Sequence, residues 1–213
     1  GDLFNDGRIA VNSGGISTTQ LDFEADSIIS GTGEIRLDAF DIRARLRTGA
    51  GFTVTQQPGH TIAGWGKIEA DLVNNGLVNA DTGNATLTMD TNPKANNATM
   101  RASNDATLEF RSITVTQSPT GLIEAVDPGS EVIFNSATLN GGQLRTDADG
   151  VISITNGIFD GVTLTEGSVN IPSARTLDVF NSLTNNGVIT VNPDSNISTT
   201  QLDFENTGSF LGS

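Results

Sequence analysis

Few residues of this chain are of types that do chemistry. There is no cysteine and one histidine, His60, in the run Gln57-Pro58-Gly59-His60. A nucleophile–base triad has little to work with. Thiolate and multi-histidine metal sites are excluded, and no disulfide framework can form. The Pro-Gly turn places His60 at the surface, as a turn residue and not a base. Two carboxylate groups with a cation nearby remain: Asp147 and Asp149 with Arg145, and Glu69 and Asp71 with Lys67. Clustered carboxylates beside a cation are the equipment of polysaccharide hydrolases and lyases. The first group reads here as a solvated turn and the second as an outward strand face, so no catalytic residue is expected.

Asp147-Ala148-Asp149-Gly150 also matches the opening of an Asp-x-Asp-Gly calcium loop. The oxygen ligands that would complete an EF-hand are missing, as is the Gly-Gly-x-Gly-x-Asp nonapeptide. Asp147 and Asp149 are the calcium candidates, with a structural turn as their expected role and no other cofactor. Asn84-Ala85-Thr86, Asn97-Ala98-Thr99 and Asn196-Ile197-Ser198 fit the glycosylation acceptor pattern, as a chain rich in Asn and Thr does by chance. Thr-x-Thr pairs at 53–55 and 86–88 fall short of the regular array that ice binding needs.

The whole composition narrows the class further. A net charge of −14, from 25 acidic and 11 basic residues, repels phosphate backbones and argues strongly against nucleic acid as a partner. The same charge keeps an elongated exported protein in solution. No apolar run is long enough to cross a bilayer, so membrane insertion is not expected. Charged residues make up 17%, low for a disordered chain, and aliphatic residues are spread evenly. One domain with a thin, continuous core is expected over 1–213. No charged n-region followed by an apolar stretch opens the sequence. Export is still the expectation, with any leader outside these residues.

The elements that would position these groups are announced by repetition. Leu3-Phe4-Asn5-Asp6-Gly7-Arg8-Ile9-Ala10-Val11-Asn12 returns as Leu183-Thr184-Asn185-Asn186-Gly187-Val188-Ile189-Thr190-Val191-Asn192. Ser17 to Glu24 recurs letter for letter as Ser198 to Glu205. The offset is 183 − 3 = 180 in the first block and 198 − 17 = 181 in the second, with one residue inserted near Pro193 to Asn196. The chain thus holds one long period (3–24 recurring as 183–205) and the opening of another, which predicts continuation in a longer protein. The two copies are expected to build the same coil about nine coils apart.

A shorter unit, Gly-x-apolar-x-apolar, runs inside the long one. It occurs at Gly7, Gly33, Gly66, Gly76, Gly121, Gly150 and Gly187. A glycine turn followed by alternation marks a short strand with one buried face. The third and fifth letters face inward and the others face solvent. Separators such as Asn-Gly, Asp-Pro-Gly and Gly-Gly are turn formers. No stretch keeps helical spacing for three turns; the best attempt, Leu37 to Leu46, lacks a cap. Tandem units and scarce aromatics favour an all-β parallel β-solenoid of about ten coils over a sandwich or barrel. Asn5, Asn74 and Asn185 are candidates for side-chain ladders at the corners.

Leu183-Thr184-Asn185-Asn186-Gly187-Val188-Ile189-Thr190-Val191 and Leu72-Val73-Asn74-Asn75-Gly76-Leu77-Val78 resemble units in the passenger regions of autotransporter adhesins and filamentous-haemagglutinin-like surface proteins. The resemblance implies a right-handed parallel β-helix, an extracellular or cell-surface location, and a role in adhesion or as a spacer. Partners implied are neighbouring repeats or subunits end to end, and a host or environmental glycan or protein. The alternative is a carbohydrate-active β-helix enzyme or a glycan-binding module.

Overall fold

Short alternating segments separated by glycine, asparagine and aspartate can bury one face only by stacking on copies of themselves. The computed structural model describes residues 1–12, 17–39, 43–147, 149–195, 197–205 and 209–212. Phe40, Ile42, Ala148 and Asn196 of the motifs above lie outside them. Every assigned element is a strand, and every pairing is parallel. The chain is a parallel β-solenoid of nine turns and the start of a tenth, as the repeat predicts. Residues that stack are separated by 16 (Ile62 to Val78) to 27 (Ile35 to Ile62), around the expected 20.

Three faces run the length of the stack. The first carries Arg8–Asn12, Glu34–Asp38, the opening of Thr61–Ile68, Leu77–Ala80, Thr99–Ala102, Leu122–Ala125 and Gln143–Thr146, ending at Ser209–Gly212. The second runs from Thr19–Phe23 through Ala44–Thr48, Thr86–Met89, Thr107–Arg111 and Ser168–Ile171 to Val188–Val191. The third has ten strands, from Leu3–Phe4 through Asp71–Asn74, Lys94–Asn96 and Thr114–Gln117 to Gln201–Phe204. At about 4.8 Å per step the stack is on the order of 45 Å long.

Corners are made in two ways. In the early coils, glycine lets the backbone press against the coil below: a Cβ on Gly64 would lie 2.0 Å from the Leu37 carbonyl oxygen. In later coils one residue in the left-handed region bends the chain with no loop. Ser112, Ser136 and Asn156 do this between the second and third faces, with φ of 52°, 53° and 63°. Polar side chains that can bond their own backbone tolerate that region best. The inward letters of the glycine motif form one continuous core; Ile35, Ile68, Val78, Ile123 and Ile152 are fully buried. In the last coil Ile189 is half-buried and Val191 exposed, because no strand covers them.

One expectation needs correction, that of the long repeat. The glycine motifs lead into two faces: those at Gly7, Gly33, Gly76 and Gly121 into the first, and those at Gly66, Gly150 and Gly187 into the second. The motif reports a turn and the strand after it, and variable coil length decides which face that strand joins. The long repeat is likewise out of phase with the coil. Leu3 lies on the third face and Leu183 on the first; Arg8–Asn12 lies on the first and Val188–Val191 on the second; Thr19–Phe23 lies on the second and Gln201–Phe204 on the third. The two copies make equivalent pairings, Leu3 with Ile29 and Leu183 with Phe210. The second copy is eight coils further on and rotated by one face.

Candidate functional site

Polar groups collect at the corner between the third and first faces. Asn74 donates from Nδ2 to Asn96 Oδ1 at 2.8 Å and to the Thr99 carbonyl at 3.0 Å. Asn96 repeats this with Gln117 Oε1 at 2.7 Å and the Leu122 carbonyl at 3.0 Å. Gln117 donates to the carbonyls of Gly141 and Gln143, its longer stem reaching over a pair of glycines. Each asparagine also accepts from the backbone N–H two residues on, at Gly76 and Ala98, closing the turn. Asn5 and Asn185 make the same local turn with Gly7 and Gly187 but do not join this column. The ladder is Asn74–Asn96–Gln117. At its lower end the column meets Ile29 beneath Gln56, so the Gln56 Oε1 atom finds no donor there.

His60 is not at the surface. It is fully buried, and in the coil below, Gly33 has no Cβ and leaves a gap that the Asn5 amide occupies. Asn5 reaches up through that gap, placing its Nδ2 3.2 Å from His60 Nε2 while also donating to the Glu34 carbonyl. Burial lowers the imidazole pKa and keeps the ring neutral. With Nε2 accepting from Asn5, the proton sits on Nδ1, which has no partner among the described residues. A ring enclosed this way bridges coils one and three and has no contact with solvent.

Sequence reasoning passed over Lys94. Its side chain points into the core in register with Leu72 and Val115 and is 2% exposed. Nζ donates to the carbonyls of Asn92, at 2.5 Å, and Asp90, at 3.1 Å. Burial drives its pKa down to about 7, against the pull of Asp71, Asp90 and Glu69. Two carbonyl acceptors match the two hydrogens of a neutral amine. The signal was in the sequence: aligning Lys94-Ala95-Asn96 with Leu72-Val73-Asn74 puts the lysine at an inward letter.

The carboxylate groupings separate in the fold. Glu69 contacts Arg45 at 3.3 Å, Arg47 at 3.2 Å and Lys67 at 3.6 Å, while Lys67 also meets Asp90 at 2.7 Å. Asp71 lies around the corner on the third face. Arg145 pairs with Glu124 at 2.5 Å and Glu166 at 3.6 Å. Asp147 and Asp149 are exposed, and the Asp147 carbonyl accepts from the Gly150 N–H while Asp149 has a φ of 68°. Among the described residues no group of three or more candidate ligands comes together.

The outer faces differ in character. Ion pairs between described residues follow the first face (Arg8–Glu34, Arg36–Asp81, Arg101–Glu124–Arg145–Glu166) and the second (Asp22–Arg47–Glu69, Lys67–Asp90, Glu109–Arg111). The third face presents the outward column Ile28, Thr55, Val73, Ala95, Thr116 and Asn140, uncharged over these six positions and followed by Asp160. A shallow groove of about 430 Å³ lies beside it, lined by Thr138, Asn156, Ile158, Thr176 and Asp178 among others. Most of the other apolar exposure lies at the two ends, Phe4 at one and Val188, Val191, Ile197, Phe204, Phe210 and Leu211 at the other, with Phe52 exposed at a corner between them. No family model, no curated protein and no solved structure matches this chain.

Proposed function

We propose that the chain is a structural or adhesive β-solenoid segment of a secreted or cell-surface protein or extracellular filament, working as a spacer joined end to end to neighbouring repeats or subunits. The observation that carries this reading is how the outward charges are used. Arg101, Glu124, Arg145 and Glu166 belong to four successive coils and bind one another along the axis. Groups that tie coil to coil support the rod and are spent on it, whereas catalysis needs acids and bases that converge on an external substrate. An antibody raised against the chain should label intact cells of the source organism, or the filaments they release. Labelling that appears only after lysis would overturn the surface assignment. Loss of surface polysaccharide cleavage on deletion of the gene would instead favour an enzyme.

A further inference from the structure

The corner between the third and first faces is filled in two ways. From the fourth coil upward it holds the amide column Asn74–Asn96–Gln117, whose groups do not titrate. In the first three coils it holds His60, the one histidine of the chain, tied to Asn5 from two coils below. The Asn5 amide has one orientation. Its Oδ1 accepts from the Gly7 N–H at 3.2 Å, and its Nδ2 donates to the Glu34 carbonyl at 3.2 Å. Nδ2 therefore turns its second hydrogen to His60 Nε2, also 3.2 Å away, and that nitrogen must accept. The amide reaches the ring past Gly33, where a Cβ would lie 2.7 Å from Nδ2. Both partners are enclosed, His60 fully and Asn5 with 8% exposed.

A proton added to Nε2 would set donor against donor. It would also create a buried cation that none of the described residues answers with an anion. In coil one, the Asp6 carboxylate is taken up by the Thr32 N–H and hydroxyl, at 2.9 and 3.3 Å. In coil two, Glu34 gives its carboxylate to Arg36 at 3.1 Å and Arg8 at 3.9 Å. Within coil three, Gln56 Nε2 donates to the His60 carbonyl at 2.7 Å, and the coil above brings Gly76 and Leu77. None of these three titrates.

We propose that His60 is an acid-sensitive latch: protonation of its Nε2 breaks the tie between coils one and three and opens their shared corner, while the amide column keeps the stack above it closed. Pro58 and Gly59, beside the ring in sequence, are exposed, so the turn that carries the ring already borders water. The direction follows from burial, which holds the folded-state pKa below the usual 6.5. An opened ring binds the proton that the closed one refuses. The closed corner is therefore favoured above 6.5 and is lost as pH falls through the folded value.

A single histidine makes the test direct. Long-range proton–nitrogen correlation spectra of the full chain, recorded at about pH 7.5, should show the neutral ring with its proton on Nδ1 and a bare Nε2. A proton on Nε2, or a ring that titrates at or above 6.5, would overturn the latch. Hydrogen exchange, corrected for its intrinsic pH dependence, reads the opening itself. The amides of Gly33, Thr61 and Leu77 bond across the latched corner, to the carbonyls of Asn5, Gly33 and His60. Their protection should fall by up to about tenfold for each pH unit below 6.5. The amides of Asn97 and Leu122, which bond across the same corner higher up, should keep theirs. His60→Gln, whose Oε1 can accept from Asn5 without titrating, should flatten the response of the lower corner. Equal losses at both corners, or an unchanged acid response in His60→Gln, would assign the loosening to carboxylates and overturn the proposal.

Discussion

Two columns climb through the middle of the molecule, and they hold its coils together by opposite chemistry. At the corner between the third and first faces, Asn74, Asn96 and Gln117 pass hydrogen bonds from coil to coil. Inside the second and third faces, Phe110 stacks on Phe134 at 5.1 Å, and Phe134 meets Phe159 edge-on at 5.4 Å. The rings supply area and close packing and would tolerate a small slip. The amides supply little net free energy, but a slip of one residue would leave each buried donor and acceptor unpaired. The ring column therefore sets stability and the amide column sets register.

That contrast can be broken in graded steps. Phe134→Ala removes the central ring from a fully buried site and should cost about 3–5 kcal/mol in reversible chemical denaturation. A loss under about 1 kcal/mol would show that the rings do not carry the core. Asn96→Leu keeps the branched outline but removes an acceptor from Asn74 Nδ2 and the Ala98 N–H and the donor to Gln117 Oε1 and the Leu122 carbonyl, and should cost about 2 kcal/mol. A gain in stability would show that the amide column is tolerated without being needed. Lys94→Met acts through pH. The folded pKa of about 7 lies below the usual 10.5, so the unfolded chain binds the extra proton between them. The Lys94 contribution is present above about 10.5 and lost as pH falls to about 7. The wild-type melting temperature should therefore carry a component rising with pH across that window, which the Met variant lacks; equal slopes would place the Lys94 charge elsewhere. Smallest of all, Thr116→Asp on the outward column of the third face should change stability by about 0.5 kcal/mol or less.

What the sequence revealed was what is local. Alternation after glycine named inward letters such as Ile35, Val78 and Ile123, because a strand's two faces follow from the backbone alone. Which strands share a face was not readable, because coil length varies and each corner shifts the register of everything after it. The same limit misplaced His60. Gln-Pro-Gly-His looks like an exposed turn until Asn5, whose amide passes Gly33 of the intervening coil, is known to meet the ring. Asn5 was identified as a ladder residue and proved to bridge to His60 instead, across 55 residues. The carboxylates near Lys67 read as one outward strand face, but Glu69 lies just past the strand that ends at Ile68 and Asp71 on the next face, and the partners of Glu69 and Lys67 (Arg45, Arg47 and Asp90) come from neighbouring coils.

One unbroken column of the third face spans most of the parallel stack. Ile28, Thr55, Val73, Ala95, Thr116, Asn140 and Asp160 stack in register over six steps, although the first and last are 132 residues apart. Spin labels at Ile28→Cys and Asp160→Cys, in a chain with no other cysteine, measure that span by pulsed electron paramagnetic resonance. Six steps predict one distance near about 29 Å, and moving the second label to Thr116→Cys should shorten it to about 19 Å. A broad distribution, or a distance that does not shorten by about two strand spacings, would contradict the parallel stack.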